Sequence, residues 1–115
     1  MKNKVINYIW VTTQFEGYHK YPDAPKEVEF LKNEHRHIFK IKIWIEVFNN
    51  DRDIEFIKLK RKINEELSNW STNLGMYSCE MMADDLYRFT NKEYPKRKIK
   101  ISVSEDGENG CEKEY

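Results

Sequence analysis

The sequence predicts an α+β fold, an antiparallel four-stranded sheet in the order ββααββ with two helices on one face. Three observations carry this expectation. An alternation of apolar and polar residues runs from His35 to Phe48. Two segments with helical apolar spacing follow it, Phe56–Trp70 and Ser78–Phe89, and a second alternating run, Ile99–Glu105, comes after them. Strands grouped around a pair of helices bury one sheet face under those helices.

The first strand is expected over Val5–Phe15. Val5, Ile9, Val11 and Phe15 share one parity, while Ile6, Tyr8 and Trp10 share the other, and this mixture of β-branched and aromatic residues suits a strand buried on both faces. Gly17–Asn33 breaks the pattern around Tyr21-Pro-Asp-Ala-Pro25 and reads as an ordered loop. In the second strand His35, His37, Phe39, Ile41, Ile43, Ile45 and Val47 leave one face, because strand side chains alternate. Arg36, Lys40, Lys42 and Glu46 leave the other, with Trp44 and Phe48 among them. Asn49-Asn-Asp51 ends the strand with turn chemistry.

Phe56, Leu59, Ile63, Leu67 and Trp70 then recur at three- and four-residue intervals, with charged residues between them, as in an amphipathic helix. Ser78 is a fitting N-cap for the second helix, and Glu80 lies near its positive end. Met82, Leu86 and Phe89 supply its buried stripe, and Asn91–Pro95 stops it. Ile99, Ile101, Val103 and Glu105 share a face of the third strand. Asp106-Gly-Glu-Asn-Gly110 is a turn, and Cys111–Tyr115 supplies a short last strand.

At 115 residues the chain is expected to be a single domain, 1–115, with room for no second catalytic unit. The balance of 20 basic and 20 acidic residues removes the bulk positive field that non-specific nucleic-acid or lipid binding requires. No apolar run approaches the ~20 residues of a membrane span, and Met1-Lys-Asn-Lys4 leads into no cleavage site. A cytoplasmic protein with no membrane partner is expected. Cys79 and Cys111 make no disulfide framework and read as thiols. With 39% hydrophobic residues and 35% charged residues the core is modest, although a 14% aromatic content and strong patterning argue against disorder. Self-assembly is one way to bury more surface.

All three histidines fall where metal chemistry would use them. His35 and His37 leave the same face of one strand, and His19 returns beside them if the first two strands form a hairpin. Three imidazoles with an open fourth position describe a common catalytic zinc site. The alternative is a pair of half-exposed histidines and a loop cap.

The surrounding pattern resembles the tunnelling-fold family of the 6-pyruvoyl-tetrahydropterin synthases and the bacterial 6-carboxy-tetrahydropterin synthases. Phe15-Glu-Gly-Tyr-His19 is similar to that family's Phe-x-x-x-His motif, and His35-Arg-His37 to its His-Gly-His. Glu55-Phe56 is similar to the Asp-Phe opening its first helix, and Ser78-Cys-Glu80 to the Thr-x-Glu-Asn opening its second. Glu105, in Ile101-Ser-Val-Ser-Glu105, is similar to the strand glutamate that anchors the pterin ring. The resemblance implies zinc on His19, His35 and His37, a ligand site including Glu105, Glu80 and Ser78, and a homo-oligomer whose sheets join edge to edge into a barrel. A carboxylate suits such a ring independently, since it accepts two parallel hydrogen bonds from amino and ring N–H groups.

Other residues stay open at this level. Tyr18–Pro25 is either a stacking lid over a heterocycle or a surface loop. Arg36, in place of the family's glycine, points to the opposite strand face, toward a neighbouring subunit, a ligand phosphate or solvent. Lys96-Arg-Lys-Ile-Lys100 either holds phosphates or protects an edge strand with lysines.

Two proton-handling elements of the family are missing. Glu29-Phe-Leu-Lys-Asn-Glu34 stands where the family has its catalytic cysteine, and Ser68–Gly75, with no spare histidine, where it has an Asp-His pair between its helices. The catalytic residues are accordingly unassigned. The expected function is a homo-oligomeric binder of a purine- or pterin-like nucleotide or metabolite at subunit interfaces, one form being a phage protein that sequesters a nucleotide immune signal. The alternative is a zinc-dependent lyase or hydrolase on a pterin or deazapurine precursor, with Glu34, Glu55 or Glu80 replacing the missing base.

Overall fold

The computed structural model describes residues 4–115, so the reading of Met1–Asn3 as free of a leader lies outside the described residues. Four strands, β1 (Asn7–His19), β2 (His35–Val47), β3 (Ile99–Glu105) and β4 (Asn109–Glu114), form one antiparallel sheet in the order β1-β2-β3-β4. Helices α1 (Phe56–Ser68) and α2 (Cys79–Glu93) connect β2 to β3 and cover one face of it.

The alternation in β2 does what its period dictates. Phe39, Ile41, Ile43, Ile45 and Val47 are buried, and the register sets them beside Ile99, Ile101 and Val103 of β3. Leu59, Ile63 and Leu67 of α1 and Met82, Ala83 and Leu86 of α2 close the core from above. Both helices are capped from their own sequence: the Glu55 carboxylate accepts from the Lys58 amide, and the Ser78 hydroxyl from the Met81 amide. Asp106 and Gly107 turn β3 into β4 with positive φ at both residues and the Glu108 amide bonded back to the Glu105 carbonyl, the primed geometry that matches strand twist.

Several expectations are corrected. β1 starts at Asn7 and runs on through Gly17 to His19, so Tyr18 belongs to a strand and not to a loop. β1 is not buried on both faces, since Trp10 is 53% exposed. Its even-numbered side chains face away from the helices, where no other secondary-structure layer among the described residues covers them. A 3-10 stretch, Lys26–Lys32, occupies part of the expected loop. α1 stops at Ser68, before Trp70, and Phe56 at its start is exposed. α2 continues past Asn91 to Glu93. Lys96–Lys100 does not protect an edge, because β3 lies between β2 and β4. Arg97 instead pairs with Asp53 at 2.8 Å and donates to the Glu46 carbonyl, tying the β3 entry to the β2 exit.

Candidate metal centre

The register that pairs Asn7 with Val47 at one end of the β1–β2 hairpin pairs Gly17 with His37 and His19 with His35 at the other. Cross-strand partners share a sheet face, so the three imidazoles emerge together on the helix-covered side. Their ring centroids lie 4.6 Å (His19–His35), 5.0 Å (His35–His37) and 5.4 Å (His19–His37) apart. Fully buried Phe39, with its ring 5.1 Å from that of His19, forms an apolar floor. β3 ends beside them, and its last residue brings the Glu105 carboxylate to 2.7 Å from His19 Nε2 and 3.3 Å from His37 Nε2.

Each imidazole is tethered through Nδ1. His19 Nδ1 is 2.7 Å from the Tyr77 carbonyl, His35 Nδ1 is 2.9 Å from the Asn33 carbonyl, and His37 Nδ1 is 2.6 Å from the Asp106 carboxylate. A carbonyl or carboxylate oxygen only accepts, so these contacts place an N–H on Nδ1 of each ring and leave Nε2 as the atom presented to the cluster. Nε2 of His19 and of His37 then faces a Glu105 carboxylate oxygen, a juxtaposition that either a proton or a metal cation bridges. Ligand atoms of His19, His35, His37 and Glu105 all lie within 4.8 Å of one another, a group that could hold a metal ion. Tethers of this kind are what orient histidine ligands in metal sites.

The tethers come from local chain geometry. The α1–α2 connector runs beside the end of β1, with the Tyr18 amide bonded to the Thr72 carbonyl and the Leu74 amide to the Tyr18 carbonyl. Gly17 permits that approach: a Cβ there would stand 3.0 Å from Leu74 Cδ1 and 3.1 Å from the Thr72 carbonyl oxygen. The connector in turn delivers the Tyr77 carbonyl to His19. Asp106 is gripped by the Ile38 amide at 2.9 Å as well as by His37. The Ile38 N–H first, and His37 second, hold its carboxyl below the usual range. Asp106 and the two tethering carbonyls had no individual signature in the sequence; position next to Glu105 in a turn was the only pointer to Asp106.

The remaining candidate residues fall elsewhere. Ser78 is engaged as the α2 cap, and Glu80 is exposed in the first turn of that helix. Tyr18 and Arg36 are cross-strand partners on the face opposite the histidines, where Arg36 Nε binds the Glu16 carboxylate at 2.6 Å. One chain therefore does not gather Tyr18 and Arg36 with the histidine cluster. Cys79, buried under α2, has its thiol pushed up to about 12 by burial, with the nearby Glu105 charge adding to the effect, so it supplies no thiolate at neutral pH.

Comparison with solved structures gives the same architecture over the whole chain. The 6-pyruvoyl tetrahydropterin synthase of Plasmodium falciparum superposes with a TM-score of 0.75 at 13% identity, covering 97% of this chain and 99% of that one. The Caenorhabditis elegans enzyme gives 0.72 at 13% identity, covering 100% and 99%. A Plasmodium vivax 6-pyruvoyltetrahydropterin synthase variant at a catalytic glutamate gives 0.71 at 12% identity, covering 97% and 99%. Comparisons with protein-family models and with curated proteins give no match. The fold is that of the 6-pyruvoyl tetrahydropterin synthases.

Proposed function

We propose that this chain is a zinc-binding, homo-oligomeric protein that holds a pterin- or purine-like heterocycle beside the metal, and that it binds this ligand without carrying out the synthase reaction. The observation that carries the reading is the set of three Nδ1-tethered imidazoles turned toward Glu105. Three imidazole nitrogens suit zinc in ligand type and leave the open fourth position through which a metal acts on a bound molecule. His19, His35 and His37 would hold the ion, which when bound supplies Lewis-acid polarisation of a ligand oxygen. Glu105 has an oxygen to spare for the amino and ring N–H groups of the heterocycle.

The likeness to pterin synthases supports the ligand class, and the loss of proton-handling groups supports binding over turnover. All three histidines are committed to the cluster, leaving none for an acid-base pair, and the Cys79 thiol is held in its neutral form. The β1 and β4 edges, which pair with no further strand of the sheet among the described residues apart from the bridge at Tyr18, support assembly with other copies.

A second reading has one observation in its favour. The P. vivax enzyme is described with a catalytic glutamate, so a missing cysteine does not by itself remove the chemistry. Glu34 stands immediately before His35, exposed, where a base would be wanted. In this reading the protein is a zinc-dependent lyase or hydrolase on a pterin-type precursor.

Elemental analysis of purified protein, native mass spectrometry and a turnover assay with dihydroneopterin triphosphate separate these readings. Near-stoichiometric zinc, a retained small molecule and no turnover are expected. Turnover abolished by Glu34→Gln would favour the enzyme. Less than one tenth equivalent of zinc, unchanged in His35→Ala, would remove the metal from both.

A further inference from the structure

The sheet face turned away from the helices carries a second cluster, remote from the histidines. The register aligns two rows across β1, β2 and β3: Thr12, Lys42 and Ser102 in one, Gln14, Lys40 and Ser104 in the next. Each row sets an ammonium between neutral side chains that can donate. Together they line a groove of about 620 Å³ whose lining includes no carboxylate among the described residues.

Two other cations on this face are matched: Arg36 is paired with Glu16 at 2.6 Å and Lys100 with Glu114 at 3.7 Å. Among the described residues no ion pair involves Lys40 or Lys42. Both are nonetheless held in place. The Lys42 ammonium sits over the rings of Trp10 and Trp44, 4.2 and 4.6 Å from their centroids. Gly107, in the β3–β4 turn, lies against the Lys40 stem, where a Cβ would come 3.4 Å from Lys40 Cδ. Lysines that only solubilise a sheet have no need of a groove lined without carboxylates.

Two residues apart on one strand, Lys40 and Lys42 leave the sheet about 7 Å from each other, so their charges repel until an anion spans them. Phosphate oxygens accept from ammonium and hydroxyl groups alike, and charge-assisted bonds are the stronger kind. We infer that this groove is a separate site for a small anion carrying two or more phosphate groups, bound by Lys40 and Lys42 with Thr12, Ser102 and Ser104 as neutral donors. Lys42 covers both Trp10 and Trp44, and Lys100 also reaches Trp44; a nucleobase attached to those phosphates would stack on Trp10 once the anion draws Lys42 off its ring.

Calorimetric titration of the full chain with inorganic tripolyphosphate at fixed ionic strength tests this, with tryptophan fluorescence as a second readout. Saturable binding is expected, weakened about tenfold by Lys40→Ala and by Lys42→Ala, and unchanged in Lys92→Ala on α2 and in His35→Ala. A parallel titration with ATP identifies the source: tighter binding than tripolyphosphate, with the excess lost in Trp10→Ala, marks a nucleotide, and equal binding marks a free polyphosphate. Binding that survives in the Lys40→Ala/Lys42→Ala double variant, falls equally in Lys92→Ala, or disappears in His35→Ala would overturn the assignment. Because His35→Ala removes only the metal centre, the two sites succeed or fail independently.

Discussion

At the scale of single residues, the centre is a set of lone pairs aimed by hydrogen bonds. An imidazole can present either nitrogen, and what decides here is the acceptor behind each ring: a backbone carbonyl for His19 and His35, the Asp106 carboxylate for His37. Asp106 is the one side chain among these acceptors and can be changed without touching a ligand. Asp106→Asn is expected to weaken zinc affinity about 10- to 100-fold, the usual cost of losing such a support, with the fold kept. Competition with a chromophoric chelator measures it, and affinity unchanged from the parent chain would show that His37 needs no tether.

Among elements, the decisive contact is the one between β1 and the α1–α2 connector. It exists because Gly17 has no side chain, and through it the Tyr77 carbonyl reaches His19. Gly17→Ala forces Leu74 or the Thr72 carbonyl to move. A loss of about 1–3 kcal/mol in urea unfolding is expected, the range typical of overpacking, together with a lower zinc affinity as the His19 tether shifts. Equal stability with full zinc loading would mean that the connector yields freely. The other end of the sheet is secured differently: Tyr115 stacks on Tyr87 at 4.0 Å, and its hydroxyl donates to Asp84, which also pairs with Lys113.

For the whole molecule, two properties follow from the distribution of charge and apolar surface. Asp53, held low mainly by Arg97, and Asp84, held low mainly by Lys113, have folded values below those of the unfolded chain. A depressed carboxyl contributes stability that is fully present above its unfolded value, about 3.9, and lost as pH falls through the lower folded value. Melting temperature should therefore decline below about pH 4, and more gently in Asp53→Asn/Asp84→Asn; identical slopes would assign the decline to other groups. The second property is assembly. Trp10, Phe56, Ile57, Met76 and Met81 are about half exposed or more, and the outer edge of β1, bridged by the connector at Tyr18, pairs with no other strand of the sheet among the described residues. Light scattering is expected to give a mass several times 14.0 kDa, and a mass of one chain across micromolar concentrations would rule assembly out.

Much of the fold was legible in the sequence because it rests on local period. The two-residue alternation of β2 and β3 and the helical spacing of α1 and α2 each place apolar side chains on one face, whatever lies far away in the chain. His35 and His37 could be put side by side for the same reason. What the alternation cannot reveal is where a strand stops when the turn is long: it predicts an end at Phe15, and pairing with β2 carries β1 through Gly17 to His19. The position of β3 inside the sheet, the delivery of Glu105 and Asp106 to the histidines, and the Gly17 contact are likewise set by register between segments far apart in sequence. Residues alone determined that three histidines were present at spacings a metal would accept. Only the tertiary structure decided which nitrogen each one presents, because that depends on acceptors contributed by a connector, a loop and a turn from elsewhere in the chain.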